Sequence, residues 1–207
     1  ERILHAAARL FAEHGYHGVT TRQIAAAAKL NIGTVHHHLG TKRAVYLAVY
    51  ERLRQEDAAF VGGLEERFAR FQPSNAETLA RGLCGMADDF VDFVAGDAVR
   101  GRLFLRHWLE TDPELREFEA ERSLDLYRKL RRILQRARGK GWVDWTVNPG
   151  IILRNLDWMV YSYFVCGAFN WRTWRGDPRE ERNLRAFKAS LHVYLRGMLR
   201  LPPEDAA

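Results

Sequence analysis

Two cysteines, Cys84 and Cys166, are all that the 207 residues hold. Neither stands in the spacing of a redox pair or a zinc site. So few isolated thiols in a chain this long exclude a disulfide-stapled scaffold and match a reducing compartment, so the expected location is the cytoplasm. No run of about 18 apolar residues occurs, which excludes a membrane-spanning helix. The opening stretch, Glu1 to Phe11, is amphipathic and lacks the apolar block of a secretory signal. Glu1 stands where an initiator methionine is expected, so a short amino-terminal piece is expected before it. Alternating runs of β-branched residues are scarce, and Asn-Gly and Asp-Gly hairpin turns are missing.

The signatures of catalysis are missing too. The chain has no nucleophile elbow, no phosphate-cradling glycine loop and no metal-spaced His/Cys set. Asp88, Asp89 and Asp92 form an acidic group, but on a helix whose outer face is solvated in any case. His36, His37 and His38 are consecutive, so on a helix they point in different directions, whereas ligands on one helix stand three or four apart. An enzyme is therefore not expected, nor a cofactor or metal. Length allows a sizeable core and one or two domains.

What is present begins with charge. The net charge is +6 and the isoelectric point near 9.6. Residues 1 to 50 carry six basic side chains (Arg2, Arg9, Arg22, Lys29, Lys42, Arg43) against two acidic ones (Glu1, Glu13), an excess of +4. Most of the positive excess thus lies in the first quarter of the chain, as an electrostatic footprint on DNA requires.

The same quarter contains TTRQIAAAAKLNIGTVHHHLGTK, Thr20 to Lys42. Thr20 followed by Gln23 is a capping box, which starts a short helix at Thr21 with Ile24 and Ala28 inside. Lys29-Leu30-Asn31 makes a tight connection, Asn31 caps a second helix from Ile32 to Leu39, and Gly40 stops it. Two helices joined in this way are a helix-turn-helix, with the second lying in the major groove of DNA. Thr21 and Arg22 suit a phosphate at the start of the first helix. Ile32, Gly33, Thr34 and His37 face outward from the second, while Val35 and Leu39 hold its inner face. Lys42 is a point charge for a flanking phosphate. Singly, Arg22 and Lys42 would more often be ordinary solvated charges; the combined pattern reverses that reading.

These residues carry a family resemblance. Ile3 to about Val49 resembles, without a gap, the N-terminal domain of the tetracycline-repressor (TetR) family of bacterial transcription regulators. The shared runs are Ala7, Leu10, Phe11, Gly15 and Tyr16; then Thr20, Ile24 and Ala25; then Gly33, Thr34, Val35, His38, Leu39 and Lys42. Two positions depart: His36 stands where the family usually has tyrosine, and Leu39 where it usually has phenylalanine. The resemblance implies that His36 and His38 share the DNA face with the residues named above.

The rest reads as helices. A first helix has Ile3, Ala7, Leu10 and Phe11 inside and ends at His14-Gly15. A fourth runs from near Thr41 to a break expected at Gly62-Gly63. From Ser74 the composition becomes richer in large apolar side chains. One helix carries Leu79, Leu83, Met86, Phe90, Phe93 and Val94, and a next carries Val99, Leu103, Phe104 and Trp108 and ends near Asp112-Pro113. A long amphipathic helix follows, Leu115 to Arg138, with Phe118, Leu126, Leu130, Ile133 and Leu134 inside, stopped by Gly139-Lys140-Gly141. Asn148-Pro149 opens a helix expected to reach Trp171, apolar on most sides. A last helix, about Glu180 to Leu199, repeats Leu184, Phe187, Leu191, Tyr194 or Leu195, and Met198 at the steps of a packing seam.

The expected fold is therefore all-α, about nine helices: a helix-turn-helix DNA-binding domain over residues 1–46 and a helical effector-binding and dimerisation domain over 47–207. The resemblance implies a repressor that binds a palindromic double-stranded DNA operator as a homodimer through the last two long helices. It also implies a cavity for a small hydrophobic or aromatic effector behind the reading head. Candidate lining residues are Met86, Phe90, Phe93, Phe104, Trp108, Trp158, Tyr161, Tyr163, Phe164 and Asn170. Aromatics at helical spacing are more often plain core, so the polar residues on these faces, His107, Asn155, Asp157 and Asn170, are the better clues. A DNA-binding adaptor without a ligand is the alternative; a rear cavity above about 300 Å³ separates the two.

Overall fold

The computed structural model describes residues 1–97, 99–109, 127–144, 146–170 and 173–201, with backbone alone at Leu39, Glu65, Phe169, Asn170 and 173–175. Its helices are α1 (Arg2–His14), α2 (Thr21–Ala27), α3 (Ile32–Leu39), α4 (Lys42–Arg70), α5 (Ala76–Ala95) and α6 (Arg100–Leu109). Helical residues 127–139 make α7, followed by α8 (Pro149–Cys166) and α9 (Glu181–Leu199). The fold is helical as expected, with one addition: a two-stranded antiparallel hairpin, β1 (Ala168–Asn170) with β2 (Thr173–Gly176), pairing Ala168 with Gly176 and Asn170 with Thr173.

Local signals explain most of the boundaries. Thr20 caps α2 with both halves of its capping box formed: Gln23 N donates to Thr20 Oγ1 at 3.2 Å and Thr20 N donates to Gln23 Oε1 at 2.8 Å. Gly15, at φ 70°, turns the chain out of α1, and its N–H donates to Phe11 O at 2.9 Å. Gly40, also at φ 70°, stops α3. Asn148 Oδ1 accepts from the N–H groups of Gly150 and Ile151 ahead of the first turn of α8, with Pro149 where its missing N–H costs nothing.

Two expected boundaries are corrected. Helix α4 does not break at Gly62-Gly63 but continues to Arg70. Each glycine costs a helix about 1 kcal/mol, and beyond them Leu64 and Phe68 are buried, so packing of the continued face outweighs the local penalty. Helix α8 stops at Cys166 rather than near Trp171: Gly167, at φ 86°, turns the chain into β1. The end expected near Asp112-Pro113, residues 115–126 with Phe118 and Leu126, and Trp171 lie outside the described residues.

The described residues form two compact units. One holds the chain up to Ala59 together with α6; the other holds residues 60–96 and the chain from α7 onward. The first is built on Ala7, Phe11, Ile24, Val35, Val45 and Val49, all buried, with Phe11 edge-on to Tyr46 at 5.0 Å. Within it, Arg106 of α6 donates to the last carbonyls of α1, Ala12 O at 2.9 Å and Glu13 O at 2.7 Å. Arg100, also of α6, is buried against Asp57 of α4 at 2.5 Å and pairs with Glu56. In the second unit, α5 and α9 are joined by a ladder of polar contacts: Glu77 pairs with Arg196, His192 Nε2 lies 2.9 Å from Asp88 Oδ1, and Asp92 pairs with Lys188. Among the described residues no helix is long and apolar enough to cross a membrane.

Candidate nucleic-acid interface and effector cavity

The face of the helix-turn-helix is assembled by caps and a small core. Asn31 Oδ1 accepts from Thr34 N at 2.7 Å and from Thr34 Oγ1 at 2.8 Å, so the first turn of α3 is held before any partner arrives. Val35 is fully buried beneath it. On the opposite side Ile32 is 40% exposed, and Gly33, His36, His37 and His38 are exposed as well, with Thr34 half-buried. The His36 Nδ1 lies 3.0 Å from Gly40 O, which ties this ring to the end of its own helix. Arg22 is exposed in the first turn of α2, beside half-buried Thr21.

Lys42 has an inward role that sequence reasoning missed. Its ammonium donates to Tyr16 O and Val19 O, both at 3.0 Å, and lies 4.2 Å from the centroid of the Tyr16 ring. It thereby clamps the loop between α1 and α2. An ammonium has three donors, and these two carbonyls take two of them. The signal was present in the sequence: a lysine just after the glycine that ends α3, and a tyrosine just after the glycine that ends α1.

In the second unit, the later part of α4 and helices α5, α7, α8 and α9 line a partly open cavity of about 120 Å³. Phe60, Leu64 and Phe68 of α4 face Leu83, Met86 and Phe90 of α5, and Leu130, Leu134, Ile152, Leu156, Leu195 and Leu199 complete the wall. Among the described residues Asp157 is the one charged residue in it. The volume falls below the ~300 Å³ that a drug-sized ligand requires.

These features can be set against known proteins. Residues 3–49 match the model of the tetR family of bacterial regulatory proteins. The chain is also 34% identical over 141 residues to the HTH-type transcriptional repressor AcnR of Corynebacterium efficiens, a match covering 68% of this chain and 66% of that relative. The chain belongs to the tetR family. The match spans just under two thirds of the length of that AcnR. Among solved structures, the fatty acid degradation regulator FadR of Bacillus halodurans aligns with a TM-score of 0.68 at 20% identity, covering 97% of this chain and 96% of that one. FadR of Bacillus subtilis, solved in complex with stearoyl-CoA, aligns with a TM-score of 0.63 at 18% identity, covering 94% and 96%. At such identities the likeness is one of fold.

Within this tetR-family frame the expected effector residues separate. Met86 and Phe90 line the cavity. Tyr161 is fully buried and meets Phe90 edge-on at 5.6 Å, one layer behind the wall. Phe93 stacks on Phe60 at 4.2 Å. Phe164 is buried under the Arg179 guanidinium, 5.2 Å from its ring centroid. Tyr163 stacks on Phe187 at 3.8 Å and its hydroxyl donates to Asn183 O at 3.0 Å. Burial, with the charge of Asp177 behind it, pushes the Tyr163 phenol above its ordinary value, so it stays a donor. Asn155 donates to the Tyr194 hydroxyl at 2.7 Å. Trp158 is 45% exposed. Phe104, His107 and Trp108 belong to the first unit, where His107 is buried beside the Tyr50 ring at 5.7 Å and Phe104 meets Trp108 at 6.4 Å. The side chain of Asn170 lies outside the described residues.

The wall residues that sequence reasoning passed over are the plain aliphatic ones, Leu83, Leu134, Ile152, Leu195 and Leu199, together with Phe60. Their spacing showed that they faced inward, but a cavity-lining leucine and a core leucine have the same periodicity. Among the described residues no group of His, Cys, Asp and Glu could hold a metal ion.

Proposed function

We propose that the protein is a cytoplasmic, effector-responsive transcriptional regulator, a repressor that binds a palindromic DNA operator as a homodimer and leaves it when a small hydrophobic compound binds. The observation that carries this reading is α3: capped at Asn31, seated on Val35, and turning Ile32, Gly33 and His37 to solvent. A rigid helix with a free outer face and a basic surround is what major-groove reading needs. The division of labour follows: residues 1–46 read DNA, with Thr21, Arg22 and the last donor of Lys42 on phosphates and Ile32, Thr34 and His37 toward bases. Residues 47–207 take the effector and the partner subunit. Two helices support the dimer. Large apolar side chains stand exposed on α8, Ile151 at 54% and Trp158 at 45%, and on α9, Val193 at 73% and Met198 at 37%. The AcnR relative supports repression by its name, and the B. subtilis FadR complex supports a hydrophobic effector in this fold.

The test is mobility shift of the purified protein on DNA flanking its own gene across a salt series. A sequence-specific complex that tightens as salt falls is expected. Equal binding to random DNA would leave a helix-turn-helix without a regulator's specificity. A second reading, an adaptor without effector, is favoured by the modest size of the cavity. Release of the operator by an apolar compound, which must bind the DNA-free form more tightly, would dismiss it.

A further inference from the structure

The wall of the cavity bears on which ligands it accepts. Of the sixteen described residues that line it, fifteen have hydrocarbon, aromatic or thioether side chains, and the sixteenth is Asp157. Among the described residues the lining offers no lysine, arginine or histidine and no hydroxyl or amide side chain. A ligand's carboxylate or phosphate inside would lose its water, gain no side-chain donor from the described wall in return and share the space with the Asp157 carboxylate. A neutral hydrocarbon group loses nothing of the kind and gains burial. Size narrows the class further. About 120 Å³ is close to the ~150 Å³ of an engineered all-apolar cavity that stays dry and takes up benzene. An acyl chain of long-chain fatty acid length needs several times that room. The described wall comes from five helices of one compact unit, with Leu134, Ile152 and Leu199 nearly or fully buried, so these side chains are held in place by packing.

We propose that this cavity is a site for a small, electrically neutral hydrocarbon group of about the size of a benzene ring, and that it excludes anions and long acyl chains. This deepens the effector reading above and rests on it for its consequence at the operator, though not for the binding itself. The ligand class differs from the stearoyl-CoA held by the B. subtilis FadR.

The experiment is calorimetric titration and thermal unfolding of the full chain with toluene, hexanoate and stearoyl-CoA, each followed by the operator mobility shift. Toluene is expected to bind at submillimolar concentration and to raise the unfolding temperature, while hexanoate and stearoyl-CoA leave both unchanged. Ala87→Leu, which adds bulk to the wall, is expected to weaken toluene binding at least tenfold. Leu156→Ala, which removes bulk, is expected to shift preference toward butylbenzene. The second variant guards against loss of the first through misfolding. No toluene binding, or equal binding to Ala87→Leu, overturns the proposal, as does tight binding of hexanoate or stearoyl-CoA. Toluene bound with the operator complex intact leaves the site standing and sinks the effector reading; stearoyl-CoA that releases the operator does the reverse.

Discussion

Asn31 holds the start of α3 with one carboxamide oxygen, accepting from both the backbone and the hydroxyl of Thr34. Replacing such a cap by alanine costs about 1 kcal/mol, because it leaves first-turn N–H groups without a partner. Asn31→Ala is therefore expected to lower stability by that amount in thermal unfolding and to weaken operator binding beyond it, since the frayed turn carries Ile32 and Gly33. Binding undiminished in the folded variant would show that α3 needs no preset first turn. Glu77 illustrates a second residue-scale effect. The Arg196 guanidinium, which meets it at 2.9 and 3.0 Å, holds its carboxyl below the ordinary value of 4.5. A carboxylate lowered on folding adds stability that is complete above its ordinary value and is lost as pH falls through the folded one. The gap in unfolding temperature between the protein and Glu77→Gln should thus stay constant from neutral pH to about 5 and shrink below 4.5. A gap that does not change on acidification would mean that the pair acts by packing alone.

At the scale of elements, α4 is the informative one, since it contributes Val45 and Val49 to the first unit and Leu64 and Phe68 to the second. Its glycine pair is open: a Cβ at Gly62 or Gly63 would meet nothing within 4 Å. Gly62→Ala and Gly63→Ala are each expected to stabilise by about 1 kcal/mol, read from the denaturant midpoint at constant slope. If instead the operator response to effector weakens while stability rises, the pair serves as a hinge. Phe60, on the same helix, stacks on Phe93 and lines the cavity. Phe60→Ala should change both effector affinity and the effector's power to release DNA. A variant with both quantities untouched would remove α4 as the link between them.

For the whole molecule the open question is assembly. A helix apolar on most sides must cover both faces, and α8 leaves Ile151 and Trp158 in solvent in the single chain. Trp158→Asp together with Val193→Asp is expected to turn a dimer into a monomer by sedimentation velocity. The double variant should keep its helical circular dichroism and lose operator affinity by well over tenfold, as one reading head replaces two. Unchanged sedimentation would place the interface elsewhere.

What was legible beforehand was whatever depends on neighbours in sequence. The capping box at Thr20, the Asn31 and Asn148 caps and the glycine stops at Gly15 and Gly40 involve partners within four residues, so the amino-acid order alone determined them. The helical class and the helix-turn-helix followed, because periodicity and capping both act at short range. Tertiary structure decided the rest. Burial of Leu64 and Phe68 carried α4 past two glycines that local propensity would make a stop. The turn at Gly167 gave way to a hairpin with no hairpin signature in the sequence. The loop carbonyls of Tyr16 and Val19 drew in Lys42. Most of all, packing sorted inward-facing residues into wall and core: Phe90 and Leu83 line the cavity, while Tyr161 and Phe93 pack behind the wall residues Phe90 and Phe60. That distinction depends on the residual gap between helices far apart in sequence, which no single helix encodes.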